Sequence, residues 1–180
     1  GILRSTPEYQ EWQRVINKEG ATMGIARAGQ RISFQSRNPQ SRSYLDIIFP
    51  FDELTGQEFD NSNDTSVVSR LFFEKVAYIF TGDIPFDAEE KLVQSGTFLR
   101  SDILKVAHHG SKYSSGDDFL AEVLPKVAVI QVGKNSYGHP SPDALERLEK
   151  FGIDVLRTDI HGDIKITSDG VNYAVSNFQN

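Results

Sequence analysis

The 180-residue chain carries 19 Lys+Arg against 25 Asp+Glu, a formal charge of −6, with 38% apolar and 24% charged residues and no Cys. That length suits one ordinary domain with a real core, and the composition fits neither a collagen-like nor an extended disordered chain. The lack of Cys excludes disulfides and thiolate ligands, no apolar run approaches the roughly 20 residues of a membrane span, and the acidic balance argues against a non-specific nucleic-acid coat.

The chain opens Gly1-Ile2-Leu3-Arg4 with no initiator Met, which carries the expectation of a processed or incomplete sequence. Thr6-Pro7-Glu8 predicts a helix start, with Tyr9, Trp12, Val15 and Ile16 at helical spacing and Gly20 as the stop. Residues 21–34 read as two short strands about a Gly29 turn, and residues 44–49 as a strand ended by Pro50. Residues 51–64 form a rather long loop, and long loops in compact domains are often functional. Residues 65–73 and 75–81 predict a hairpin of β-branched and aromatic strands. Residues 87–94 predict a helix capped by Asp87, with Glu90 in the capping-box position. Then follow a strand over 102–107, a helix over 117–124, a strand over 127–132 and a helix over 141–151 with Pro142 at its start. A strand over 153–157 and a hairpin of 163–168 with 171–176 about Asp169-Gly170 close the chain, the turn reading as type I′. From residue 65 the order β-β-α-β-α-β-α-β-β-β implies a layered α/β or α+β domain spanning 1–180, with helices on a mixed sheet.

Three polar clusters follow the expected strands: Thr81-Gly82-Asp83, His108-His109-Gly110-Ser111-Lys112 and Tyr137-Gly138-His139-Pro140. Strands that end together place such groups on one rim of a sheet, where ligand sites of α/β proteins sit. Asp83 reads either as a turn residue after Gly82 or as a carboxylate bridging two metal ions. Two adjacent His on a strand point in opposite directions, so at most one of His108 and His109 is expected to be a ligand. Ser111, Lys112, Ser114 and Ser115 offer donors suited to an anion such as phosphate, or simply form a Ser-rich loop. His139 reads as a turn residue or as a functional one. Arg100, Lys105 and Lys112 against Asp102 make the window 100–115 locally basic.

Taken in order, several runs resemble one family: Asn63-Asp64-Thr65-Ser66-Val67-Val68-Ser69-Arg70-Leu71, Phe80-Thr81-Gly82-Asp83, and Asp102 through Lys112 with its His-His-Gly-Ser-Lys core. Ser114-Ser115, Tyr137-Gly138-His139-Pro140, and Arg157-Thr158-Asp159 followed by Gly162 extend the match to about residues 4–170. The chain resembles the metallo-β-lactamase-fold hydrolase domain of ComEC-type DNA-uptake channels and its free-standing relatives. The resemblance implies an αββα sandwich with a metal-dependent hydrolase site that uses two divalent ions, zinc or manganese. It implies Asp83 as bridging carboxylate and His109 as metal ligand, with His108 less placed. It further implies that His139 serves catalysis, while His108, Ser111, Lys112 and Ser114 face substrate. DNA would be that substrate, and a membrane channel a possible attachment.

The chain departs from the family twice. His161 stands where relatives carry an acidic or polar residue, and is read as a hairpin neighbour. The family's His-x-His-x-Asp-His ligand run occurs nowhere in the chain, so the domain is expected to lack its N-terminal part. Bare sheet faces should follow, with Val67, Leu71, Val76, Ile79 and Phe80 as the apolar residues to watch. The rival readings are a same-fold hydrolase of an ester, lactone or β-lactam, and a metal-free module that binds DNA or a channel partner.

Overall fold

The computed structural model describes residues 6–35 and 40–178, so the opening Gly1-Ile2-Leu3-Arg4 lies outside the described residues. Helix α1 (Pro7–Glu19) begins as the sequence predicts: the Thr6 hydroxyl accepts from the Tyr9 amide at 3.3 Å, and Gly20 ends it at φ 66°. None of its residues is buried, and Tyr9 stacks on Trp12 at 5.4 Å instead.

Seven strands form one sheet in chain order: β1 (Arg31–Ser33), β2 (Ser43–Phe49), β3 (Val68–Phe73), β4 (Val76–Phe80), β5 (Ile103–Lys105), β6 (Val127–Ile130) and β7 (Asp154–Arg157). The first four pair antiparallel and the last four, from β4 onward, pair parallel. Parallel neighbours need long crossovers, and here α2 (Phe86–Gln94), α3 (Asp117–Val123) and α4 (Pro142–Lys150) supply them. Two-residue periodicity then sorts the strand side chains. Ile79, Leu104, Ala128 and Ile130 meet Leu92, Phe119, Leu120 and Leu148 of the helices in the main core. Their neighbours Val76, Ile103 and Val127 point the other way, towards Ile166 and Tyr173 of the hairpin β8 (Asp163–Ser168) and β9 (Tyr173–Phe178). The described residues thus form a helix layer, a mixed sheet and a small hairpin layer. This is an α/β architecture; the second large sheet of an αββα sandwich is not among the described residues.

Several local expectations are corrected. Residues 21–27 form no strand; instead the Gln30 side chain holds them locally, accepting from the Arg27 amide and donating to the Ile25 carbonyl, both at 2.9 Å. Asp87 is not the cap of α2, because Pro85 occupies that position and offers no side-chain acceptor. Glu90 accepts from Gln94 rather than closing a capping box. The last hairpin turns through four residues, Asp169 to Asn172, since Ser168 pairs with Tyr173. Asp169 accepts from the Val171 and Asn172 amides, which widens the turn beyond type I′. Thr158–His161 forms a short helix, α5, that the pattern does not announce.

Of the five residues expected to be bare, Val76 and Ile79 are buried, one under the hairpin and one under the helices. Val67 and Phe80 remain exposed. Leu71, Phe73, Phe80 and Ile166 line an apolar groove of about 580 Å³ on the hairpin side, which reaches Lys105 and Gln131 at the sheet's end.

Candidate functional site

Because β4 to β7 are parallel, their C-terminal ends share one rim, and each hands over to a polar turn there. Beyond β4, Gly82 adopts φ 56°, and a Cβ there would stand 3.0 Å from the Ser66 Cβ. The Asp83 amide donates to the Ser66 hydroxyl at 3.2 Å, which aims the Asp83 carboxylate along the rim. Thr81 is buried and donates to the Lys105 carbonyl at 2.7 Å, joining the ends of β4 and β5.

Beyond β5 the chain leaves the strand before it reaches the histidines. His108 (φ 48°, ψ 44°) and His109 (φ 55°, ψ 25°) are both left-handed, within a 3-10 turn over Ala107–Gly110. Left-handed geometry costs a side-chain-bearing residue about 1–2 kcal/mol, and such outliers concentrate at functional sites. The strand alternation expected of the pair is therefore corrected. Both rings lie on the same rim, with centroids 6.4 Å apart, and His108 stands 5.5 Å from His139.

Asp83 and His109 come together: Nε2 of His109 lies 3.7 Å from an Asp83 carboxylate oxygen. Nδ1 of His109 donates to the Gln131 carbonyl at 2.7 Å, and that bond sets the tautomer. Nε2 faces the carboxylate: a neutral ring presents its lone pair there, and a protonated ring donates there. With the ring neutral, the two groups are a donor set for a cation, the histidine held as outer-shell carbonyls commonly hold metal-ligating imidazoles. No group of three or more His, Asp or Glu placed to surround an ion occurs among the described residues. Asp83 and His109 thus fit one edge of a metal site.

Two residues given no site role by the sequence reading, Lys105 of the basic window and Asn63 of the family-like run, belong to this rim. Lys105 places its ammonium 3.6 Å from Asp83 and 2.7 Å from the Gly82 carbonyl. Burial pushes its pKa down, and the Asp83 charge partly offsets this. The signal was there: a Lys at the centre of a parallel sheet, on the same face as Ile103, is costly unless paired. Asn63, at the end of the long loop, brings its amide within 3.4 Å of the His108 ring.

His139 lies beside His108 and His109, its Nδ1 buried without a hydrogen-bond partner among the described residues. Burial first, then the neighbouring His108 and His109, lower its pKa. Its loop is pinned to the His-His turn, because the Ser141 amide donates to the Gly110 carbonyl at 2.8 Å. His161 is elsewhere: its Nδ1 accepts from the Arg157 amide at 2.9 Å, in the turn into α5.

The serines are corrected. Ser111 and Ser114 do not face the rim; both are buried, the Ser114 hydroxyl donating to the Ala107 and Ser111 carbonyls and the Ser111 hydroxyl accepting from the Tyr113 amide. They shape the loop from within. Lys112 is exposed and extends over the Tyr113 ring at 4.9 Å rather than toward the histidines.

That loop is gripped from two sides. Glu89, buried in α2, accepts from the Ser115 and Gly116 amides at 2.6 and 2.8 Å. Arg147 donates to the carbonyls of Lys112, Ser114 and Ser115. Burial pushes the Glu89 carboxyl up to about 7 from 4.5, outweighing the two amides and the Arg147 charge. A raised carboxyl pKa means that the folded state holds its proton more tightly, so this contribution is complete below pH 4.5 and is lost as pH rises through about 7. Wild-type stability is expected to fall across that window by about 3 kcal/mol from this group. Urea melts at each pH should show Glu89→Gln lacking that slope, and parallel curves for the two proteins would refute it.

No protein-family model matches the chain. The fold and rim define a mixed α/β protein with a His–carboxylate site at the ends of parallel strands. The chain is similar to segments of three longer proteins. ComE operon protein 3 of Bacillus subtilis is 38% identical over 106 residues, 58% of this chain and 14% of that protein. Competence protein ComA of Neisseria gonorrhoeae is 38% identical over 164 residues, 90% of this chain and 21% of that protein. Recombination protein 2 of Haemophilus influenzae is 31% identical over 124 residues, 68% of this chain and 15% of that protein. The matched region spans about a fifth or less of each relative's length.

Proposed function

We propose that the chain supplies one wall of a metal-dependent phosphodiesterase site, on a metallo-β-lactamase-like fold, that acts on DNA during competence-related uptake. The observation that carries this reading is the Asp83–His109 pair, whose carboxylate oxygen and Nε2 face each other across 3.7 Å while Nδ1 is committed to the Gln131 carbonyl. The similarity to a competence protein of Neisseria gonorrhoeae supports DNA as the substrate. Two divalent ions, zinc or manganese, are the cofactors of this reading; when bound, they would activate water as a nucleophile and offset charge on a phosphoryl oxygen. Asp83 and His109 hold the near side, and the other ligands come from outside the described residues. Lys105 balances the Asp83 charge, and His139 meets substrate as a hydrogen-bonding imidazole. A membrane channel as neighbour belongs to the same proposal; no described helix is long and apolar enough to cross a membrane.

A second reading has its own observation. The Lys105 ammonium already stands 3.6 Å from Asp83, so the carboxylate has a permanent counter-charge, as a metal-free DNA-binding module would require. Metal analysis and single-stranded DNA hydrolysis separate the two. The 180-residue chain alone is expected to hold fewer than two tight ions and to turn over no DNA. The protein translated from the full reading frame should bind manganese or zinc and cleave. Two tight ions with turnover by the chain alone would show the ligand set to be wrong. DNA binding without metal or cleavage by the full protein would establish the second reading.

A further inference from the structure

Tyr137 is 82% exposed, the most exposed large hydrophobic residue among those described. Three other exposed aromatics are engaged: Lys112 lies over Tyr113, Arg70 lies over Phe98, and Trp12 stacks on Tyr9. No cation lies over the Tyr137 ring among the described residues. The Tyr137 ring is turned toward His139, with centroids 6.1 Å apart and planes 22° apart, and its exposure leaves the opposite face open.

The loop that carries it is held from within. The Asn135 side-chain oxygen accepts from the Tyr137 amide at 3.0 Å and the His139 amide at 3.1 Å. The Asn135 amide nitrogen donates to the Gly133 and His139 carbonyls at 2.9 and 2.8 Å, so both of its protons are committed. At the root of the loop, the Thr158 hydroxyl accepts from the Val132 amide at 2.8 Å and donates to the Val132 carbonyl at 2.7 Å. An aromatic left in water on a tightly bonded loop gains nothing for the fold. It offers a flat apolar face at little ordering cost, as a recognition residue does. Beside it lies a hollow of about 450 Å³, lined by His109, Gln131, Lys134, Asn135, Tyr137 and His139. That volume falls within the range of small-ligand sites, roughly 300–1,000 Å³. Lys134 is the cation of the hollow, and His109 opens it to Asp83.

We infer that Tyr137 is a stacking surface for one nucleobase of single-stranded DNA, whose backbone crosses the hollow between Lys134 and the His109–His139 rim. This inference rests on the proposed action on DNA and names how the strand is gripped there. Stacking accepts any base, because every base has a π face, so the contact would hold a strand without selecting sequence.

The test compares the 180-residue chain with Tyr137→Ala and Tyr137→Phe, by anisotropy at fixed salt, on oligothymidylate and on an abasic deoxyribose-phosphate strand of equal length. The wild type should prefer oligothymidylate, and Tyr137→Ala should lose about 5- to 100-fold on it while binding the abasic strand unchanged. Tyr137→Phe, which keeps the ring, should retain the preference. Equal losses on both strands, an unaltered Tyr137→Ala, or a wild type that binds neither strand would overturn the inference. Failure of the function itself would look different: the base-dependent increment would persist at Tyr137 while the full-reading-frame protein cleaved no DNA with manganese or zinc.

Discussion

Asp83→Asn is expected to lower metal-dependent DNA hydrolysis by the full-reading-frame protein at least a hundredfold, since even residues one shell removed from a metal commonly cost 10–100-fold. The expectation follows from charge. Asp83 stands between the Lys105 ammonium and Nε2 of His109, and an amide keeps the shape but gives up the negative charge that draws cations to this edge. Lys105 then faces a neutral partner and repels an incoming divalent ion. Lys112→Ala should cost far less, on the order of 2 kcal/mol at most for one charge-assisted contact, because its ammonium is exposed over Tyr113. A second readout needs no turnover: manganese affinity by calorimetry should fall with Asp83→Asn and hold with Lys112→Ala. Equal rates for wild type and Asp83→Asn at saturating metal would remove Asp83 from the site.

The sheet and its crossover helices were legible because their periodicities are clean. Ile79, Leu104 and Ala128 alternate with Tyr78, Ile103 and Val127, and each parity goes to one side of the sheet. Helix α4 is announced by Ser141 and Pro142, and the Ser141 hydroxyl does accept from the Ala144 amide at 3.2 Å. What failed was set by tertiary contacts rather than by local pattern. Helix α5 has four residues and owes its start to Arg157, Thr158 and His161 bonds that no propensity encodes. The α2 cap fell to Pro85 because the Phe86 amide is used by the Tyr113 carbonyl, 2.9 Å away in a distant loop.

The rim was legible in part for the same reason. Strand ends foretold that Asp83 and His109 would meet, because parallel strands end together. They did not foretell the left-handed His108-His109 turn, which puts both rings on one side. Nor did they separate the serines that build the loop from groups free to touch a ligand. Small hydroxyl residues read alike in sequence, and only burial tells Ser114 from an exposed donor. Lys105 was read only as one of several cations in a basic window; its place amid Ile103, Leu104 and Val106, out of pattern for a charge, was the sign that it needed a partner such as Asp83.

Gly110→Ala should damage fold and site together, by about 2–5 kcal/mol, and the sum has two separable parts. Gly110 adopts φ 79°, a region that costs a residue with a Cβ about 1–2 kcal/mol. A Cβ built there would lie 2.7 Å from the Pro140 Cβ and 3.2 Å from its Cα, an overlap that backbone or ring must relieve at about 1–3 kcal/mol. The relief has few directions. The Gly110 carbonyl is held by the Ser141 amide at 2.8 Å, and Ser141 caps α4. The Tyr137-Gly138-His139-Pro140 loop therefore has to move away from the His-His turn, and His139 moves with it from its place 5.5 Å from His108. Denaturant melts should show the loss in the midpoint with little change in slope, because the buried surface stays the same. Pro140→Gly, which removes the Cβ that a Gly110 Cβ would meet at 2.7 Å, is the control. Combined with Gly110→Ala it should recover part of the overlap and none of the dihedral cost, so the double variant should be more stable than the sum of the single losses. Strict additivity would mean that the Cβ contact carries no energy and that the backbone angle alone requires glycine at this position.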